Sequence, residues 1–101
     1  MKNAKQRSSL SSRKTIQHRI ELGRYVVVDP EICHGKPTYK GTRIMVWQVL
    51  AALERGESAD EIVRAWDGKV TRQAIAETVR LAREALLDHE GRLSRGAALA
   101  A

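Results

Sequence analysis

The sequence predicts a mainly α-helical protein, in which a three-helix helix-turn-helix domain follows one or two short β-strands. Three observations support this fold class. A β-branched run ends at Asp29-Pro30, the hydrophobic period changes to a helical one after Met45, and capping signals divide the second half of the chain into three helical segments. With 101 residues, the chain has room for one domain.

Composition sets the expected domain boundaries. We predict a disordered basic arm at residues 1–14, a single domain at residues 15–91 and a flexible tail at residues 92–101, because both ends are polar or small in side chain. The packed part is expected to run from Tyr25 to Glu90. A domain of that size buries only about 60% of the surface of its unfolded chain, so we expect a homodimer or another partner.

Strand character is found in the first half of the chain. Apolar and polar residues alternate from Ile16 to Leu22, which predicts a strand, although a helical spacing also fits. The run Tyr25–Val28 predicts a second strand, which we expect to pair across the dimer. The glycine-rich segment Glu31–Arg43 predicts turns around an extended piece at Thr38–Lys40.

Three helices are predicted after these strands. The first runs from about Val46 to Arg55 and ends at Gly56. The second begins at a capping box, in which the side chains of Ser58 and Glu61 satisfy backbone donors reciprocally.

The third helix follows the turn Asp67–Val70 and is capped by Thr71. We expect Gly91 to close it. Its predicted apolar stripe comprises Ile75, Val79, Ala82 and Leu86. The two tryptophans, Trp47 and Trp66, are expected to anchor the core or an interface.

The outer face of the third helix is the first candidate site. In a helix-turn-helix domain this helix would offer Arg72, Gln73 and Arg80 to the major groove of DNA. Glu77 and Glu84 are predicted on the same face and would repel phosphate unless arginine pairs with them. A solvated ladder of ion pairs explains this face equally well.

The basic arm is the second candidate. Residues 1–24 carry seven Lys or Arg residues against Glu21, whereas the remaining 11 basic and 11 acidic residues cancel. A basic arm on a neutral body predicts contact with nucleic acid, and a solvating tail is the alternative. We assign Arg13, Lys14 and Arg19 to DNA.

The third candidate is the segment from Gly35 to Arg43, where Lys36, Lys40 and Arg43 accompany two glycines. Glycine lets backbone N–H groups approach an anion, so these cations could contact phosphate. The spacing is not that of a P-loop. A turn that orients Ile44 into the core explains the segment as well, and this interpretation is favoured.

No pattern typical of an enzyme is present. Cys33-His34 is the one adjacent pair that could form a nucleophile, and no third group is evident to orient the histidine. The histidines and the single cysteine lack the paired short spacings of zinc sites, so we expect neither a metal nor another cofactor. One cysteine and the absence of an apolar run of about 18 residues predict a cytoplasmic protein.

Several stretches, in chain order, resemble one family. They are Val28-Asp29-Pro30-Glu31-Ile32-Cys33-His34-Gly35-Lys36-Pro37, Lys40-Gly41-Thr42-Arg43-Ile44, Val46, Gly56-Glu57-Ser58, Ile62 and the third helix. The family is the bacterial domain-of-unknown-function family numbered 433, and the resemblance covers about two thirds of the chain. Its signature corresponds here to Gly35, Lys36, Pro37, Gly41, Thr42 and Arg43. His34 stands where many members have glycine, and the basic arm lies outside the motif.

The resemblance implies a helix-turn-helix, homeodomain-like fold and a VapB-type antitoxin, encoded beside a PIN-like ribonuclease toxin. Such a protein would form a homodimer, bind its own operator as a repressor and neutralise the toxin. The alternative is a protein-interaction module that holds a partner without touching DNA. The last four residues, Ala98–Ala101, resemble the end of the ribosome-rescue degradation tag, which would suit a short-lived antitoxin.

Overall fold

The computed structural model describes residues 18–88 and 90–93. Three helices follow a small three-stranded antiparallel sheet in a compact α/β fold. The predicted disordered arm and the Ala98–Ala101 tail lie outside the described residues. The elements are β1 (Ile20–Glu21), β2 (Val26–Val28), β3 (Thr38–Tyr39), α1 (Val46–Glu54), α2 (Ala59–Ala65) and α3 (Arg72–Leu86), with a 3-10 turn at Cys33–Gly35.

The sheet has the order β1-β2-β3, so β2 is its central strand. Ile20 lies opposite Val28, and Val26 lies opposite Tyr39. The expectation of one or two strands was wrong, because the predicted extended piece Thr38–Lys40 supplies a third. The expectation that Tyr25–Val28 pairs across a dimer was also wrong: both edges of β2 are already hydrogen-bonded within the chain.

One apolar cluster joins the sheet to the helices. Val49 of α1, Ile62 of α2 and Val70 of the turn before α3 are fully buried in it. The sheet contributes Val26 and Tyr39, so the strands close one side of the helical core. Ile44, just before α1, is also buried, as expected for a residue that the preceding turn directs inward.

The predicted helix caps are confirmed. Ser58 Oγ accepts a hydrogen bond from the Glu61 N–H at 3.1 Å, and Glu61 Oε1 accepts one from the Ser58 N–H at 2.7 Å. Thr71 Oγ1 caps α3 by accepting from the Ala74 N–H at 3.1 Å. Gly56 follows α1 with φ +92°, the left-handed conformation that glycine adopts without strain.

The end of α3 differs from the prediction. The helix stops at Leu86, and Leu87 is extended and forms a bridge with Leu93. Gly91, expected to close the helix, lies instead in the turn between these two leucines. The Leu87 N–H still donates to the carbonyl of Arg83, so the last turn of the helix is satisfied without glycine.

The buried face of α3 was also predicted incorrectly. Of the expected stripe only Ile75 is buried, whereas Val79 and Leu86 are 49% and 52% exposed. The helix instead turns Glu77 and Thr78 inward, together with Ala74 and Ile75. Because two of these buried side chains are polar, the spacing of hydrophobic residues does not identify this face. Hydrogen bonds that only the folded chain can supply make their burial possible.

Candidate nucleic-acid interface

Glu77 is the polar centre of the contact between α3 and the sheet. Its carboxylate accepts backbone N–H bonds from Arg24 at 2.8 Å, Tyr25 at 2.8 Å and Val26 at 3.0 Å. The side chain is only 8% exposed. The prediction that Glu77 lies on the outer face of α3 was therefore wrong, because its carboxylate binds the backbone at the start of β2. The arginine pairing that was the condition for Glu77 not to repel phosphate is present, since Arg80 Nη2 lies 3.7 Å from Glu77 Oε1.

The surroundings of Glu77 favour its ionised form. Burial raises the pKa of its carboxyl, but the N–H donors of Tyr25, Arg24 and Val26 and the charge of Arg80 outweigh burial. The pKa consequently lies below its ordinary value. An ionised Glu77 at neutral pH keeps all three hydrogen bonds charge-assisted.

With Glu77 turned inward, the outer face of α3 is mainly basic and apolar. The three α3 residues that the sequence assigns to DNA are all exposed along this face: Arg72, Gln73 and Arg80. Helical spacing places Arg83 and the small Ala76 between them, and both are exposed. The face therefore combines guanidinium groups, an amide and a small apolar residue within about three turns.

Two of these arginines are engaged in ion pairs. Arg72 pairs with Asp60 at the start of α2. Arg80 pairs with Glu84 at 3.1 Å across one helical turn, as the predicted ion-pair ladder requires. Both pairs are exposed, and such pairs contribute about 1 kcal/mol or less, so phosphate can exchange for either carboxylate.

The segment from Gly35 to Arg43, which we call the signature loop, does not bring its cations together. Lys40 Nζ lies 3.1 Å from Glu21 Oε1, and Arg19 Nη2 lies 3.8 Å from Oε2 of the same carboxylate. Lys36 lies beside Trp47, and Arg43 faces a different groove, next to Trp66. The loop therefore does not gather its charges around one phosphate.

Hydrogen bonding in the loop agrees with the turn interpretation. Thr42 Oγ1 donates to the Tyr39 carbonyl at 2.9 Å and accepts from the Ile44 N–H at 3.0 Å. The Tyr39 N–H in turn donates to the Ile44 carbonyl at 3.1 Å. Gly41 has φ +76°, which explains why glycine stands there. Gly41 and Thr42 of the signature thus close a turn that places Ile44 in the core.

The two tryptophans have different environments. Trp66 follows α2 and packs against the core, as predicted. Trp47 is 55% exposed and is not a core residue, so only the interface part of its prediction stays open. Together with Lys36, Pro37, Val46 and Leu50 it lines a shallow cavity of about 480 Å³, which we call the Trp47 patch.

Cys33 and His34 lie in the 3-10 turn, where both have positive φ. Cys33 Sγ is 3.5 Å from the carbonyl oxygen of Arg43 and links the turn to the signature loop. Within residues 18–88 and 90–93, no group of three or more His, Cys, Asp or Glu residues is placed to hold a metal ion. None of the helices described is long and apolar enough to cross a membrane.

Comparison with known proteins identifies the family. A family model described as "Protein of unknown function (DUF433)" matches residues 26–82, which is more than half of the chain. The chain belongs to the DUF433 family. No curated protein and no solved structure matches it. The matched DUF433 segment begins at β2 and ends within α3, so it includes the signature loop and Glu77 but not the basic arm.

The sequence did not indicate two features of this interface, the role of Glu77 and the presence of Arg83. The role of Glu77 depends on backbone donors more than 50 positions away, and no local pattern signals such a contact. Arg83 could have been found, because it lies three residues after Arg80 on the same helical face. The arm residues Arg13 and Lys14 lie outside the described part of the chain.

Proposed function

We propose that this DUF433 protein is a DNA-binding protein that places the outer face of α3 in the major groove. The observation that carries the proposal is the inward position of Glu77, which leaves Glu84 as the exposed acidic residue of α3, a helix with three exposed arginines. A helix bearing Arg72, Gln73 and Arg80 offers bidentate donors for guanine and an amide for adenine.

The connection between α2 and α3 suits this role. Five residues separate Ala65 from the Thr71 cap, so the two helices are joined by a short turn, as in a helix-turn-helix unit. α3 has 15 residues and is therefore about 22 Å long, enough to lie across a major groove. Arg13, Lys14 and Arg19 in the arm would add phosphate contacts that strengthen binding without reading sequence.

We further propose an antitoxin-like role for the protein. In this role a homodimer in the cytoplasm binds its own operator, represses its operon and neutralises a PIN-like ribonuclease toxin. The resemblance of the signature motif supports this part of the proposal, and the basic α3 face supports operator binding. No catalytic residue, metal or cofactor takes part.

Fluorescence anisotropy tests the DNA proposal. Full-length protein is titrated against labelled DNA from upstream of its own coding sequence and against random DNA of equal length, each at two salt concentrations. Operator binding requires a preference for the upstream DNA and an affinity that falls steeply with salt. Equal, salt-insensitive affinity for both DNAs would contradict the proposal.

The Trp47 patch favours a second candidate function, a protein-interaction module that holds a partner without DNA. Exposed tryptophan surrounded by proline, valine and leucine is typical of a binding hot spot. Co-expression with the product of the neighbouring gene, followed by purification, tests this function. Trp47→Ala should release the partner, whereas Arg72→Ala should not. Loss of the partner in the Arg72 variant alone would contradict the assignment of this surface.

A further inference from the structure

A groove of the described chain lies away from the outer face of α3. One wall is the end of the signature loop, from Gly41 to Ile44, and the other is the turn between α2 and α3. Met45 and Gln48 at the start of α1 complete the lining, and the groove encloses about 980 Å³. It therefore joins the family signature to a turn more than 20 residues later in the chain.

The groove has an apolar floor and a basic rim. Ile32, Ile44, Met45, Ala65 and Trp66 supply the apolar lining. Arg43 stands on one wall and Lys69 on the other, and both are exposed. Neither cation forms an ion pair with another residue in 18–88 or 90–93, unlike Arg72, Arg80 and Lys40. Asp67 is the acidic residue of the same lining, so the two unpaired cations leave this mainly apolar groove with a net positive charge, which is complementary to an anionic partner with apolar side chains.

We propose that this groove binds an acidic peptide segment of a partner protein, with apolar side chains on the floor and carboxylates paired to Arg43 and Lys69. A peptide suits the open shape, because it can lie along the groove and bury side chains against Trp66 and Met45. The polar lining suits it too: Asp67 and Gln48 can accept hydrogen bonds from peptide N–H groups.

DNA fits the same groove poorly. Its sugar-phosphate backbone would leave the apolar lining of the groove uncovered. The sequence-based assignment of Arg43 to DNA is therefore replaced in this proposal by a role in protein binding. The inference is independent of DNA binding by α3, since different side chains carry the two activities.

Two labelled synthetic peptides of 12 residues test the proposal by anisotropy with the full-length protein. One alternates Leu or Phe with Asp or Glu, and its twin replaces every acid by Lys. A third peptide keeps the acids and replaces the apolar residues by Ser. The acidic apolar peptide should bind at least tenfold more tightly than either relative. Equal binding of the acidic Ser peptide would mean general attraction to the net charge of +6 and would overturn the proposal.

Matched variants locate the site. Arg43→Glu and Lys69→Glu should each weaken peptide binding about tenfold or more, whereas Arg64→Glu, the same charge change on an exposed α2 residue outside the groove, should have little effect. Ala65→Trp fills the groove from an exposed position and should also block the peptide, with circular dichroism confirming the fold. Equal effects of all three charge variants would overturn the site.

DNA titration of the same variants separates this inference from the proposed DNA-binding function. If Arg43→Glu and Lys69→Glu lose the peptide and keep the DNA affinity of Arg64→Glu, the groove is a protein site. If they lose DNA affinity instead and the peptide is unaffected, the groove belongs to the nucleic-acid surface and the inference is wrong.

Discussion

The backbone of Gly23 passes so close to Glu77 that a Cβ at position 23 would lie 2.5 Å from the carboxyl carbon Cδ of that side chain. Real Cβ atoms do not approach other carbon atoms so closely. The absence of a side chain at Gly23 therefore permits the carboxylate of α3 to reach the first N–H groups of the following strand. This contact joins α3 to the sheet together with the hydrogen bond between Tyr39 Oη and Thr78 Oγ1.

Gly23→Ala should destabilise the protein by about 2 to 4 kcal/mol, because the added methyl displaces the Glu77 carboxylate from buried backbone donors. Urea denaturation followed by circular dichroism measures the free energy of unfolding. Gly41→Ala is the matched control: no atom lies within 4 Å of its added Cβ, and its φ of +76° should cost only about 1 to 2 kcal/mol. A smaller loss at position 23 than at position 41 would contradict the close contact.

Glu77 should also make stability depend on pH. Its pKa in the folded protein is lowered from the ordinary 4.5, so its contribution is fully present above about pH 4.5. That contribution is lost as the pH falls below 4.5 and through the lowered pKa. Glu77→Gln removes the titrating group and should reduce stability at pH 7 while weakening the acid dependence. Unfolding free energies of both proteins between pH 7 and pH 3 make the comparison, and parallel curves would contradict it.

Two buried threonines should respond in opposite directions to valine. Thr38 is fully buried, and its Oγ1 has no hydrogen-bond partner in the described chain, so Thr38→Val should be neutral or stabilising by about 1 kcal/mol. Thr78 Oγ1 donates to the Ala74 carbonyl at 2.8 Å and lies 2.6 Å from Tyr39 Oη. Thr78→Val leaves that phenol unpaired and should cost about 1 to 3 kcal/mol. Thermal melts of the two variants provide the test, and equal melting temperatures would be inconsistent with this hydrogen bond.

Substitutions of the two tryptophans should change the free energy of unfolding by different amounts. Trp47→Ala should change the free energy of unfolding by less than about 0.5 kcal/mol, because the side chain is more than half exposed. Trp66→Ala removes a side chain packed against the core and should cost about 2 kcal/mol or more. Chemical denaturation distinguishes the two. A large loss for Trp47→Ala would show that it stabilises the fold and would weaken its assignment to an interface.

The parts of the fold that sequence predicted are those with local causes. Proline after β2, the Ser58–Glu61 box, the Thr71 cap and Gly56 each act within about four residues, and the structure has the corresponding elements at these places. Predictions failed where a contact spans the chain. The sequence of α3 predicts Glu77 on the outer face, because the backbone N–H donors that bind its carboxylate lie near residue 25 and belong to no local pattern.

In the candidate site, too, the sequence predicted only the features that have local causes. The exposed positions of Arg72, Gln73 and Arg80 follow from helical spacing and are confirmed. The distribution of loop cations was not predictable, because Lys36, Lys40 and Arg43 separate only when the loop packs against different elements. The facing pair Arg43 and Lys69 likewise depends on tertiary packing and has no sequence signal.

The most direct test of DNA binding by α3 is the salt dependence of affinity for the upstream DNA, measured for wild type, Arg72→Ala/Arg80→Ala/Arg83→Ala and a control triple variant, Arg55→Ala/Arg64→Ala/Arg92→Ala. All three proteins keep the arm, and the two variants lose the same charge. The α3 variant should lose sequence preference, and its slope of log affinity against log salt should fall by about 0.9 for each phosphate contact removed. The control should retain the preference. If both variants lose the same affinity and preference, the outer face of α3 does not read DNA.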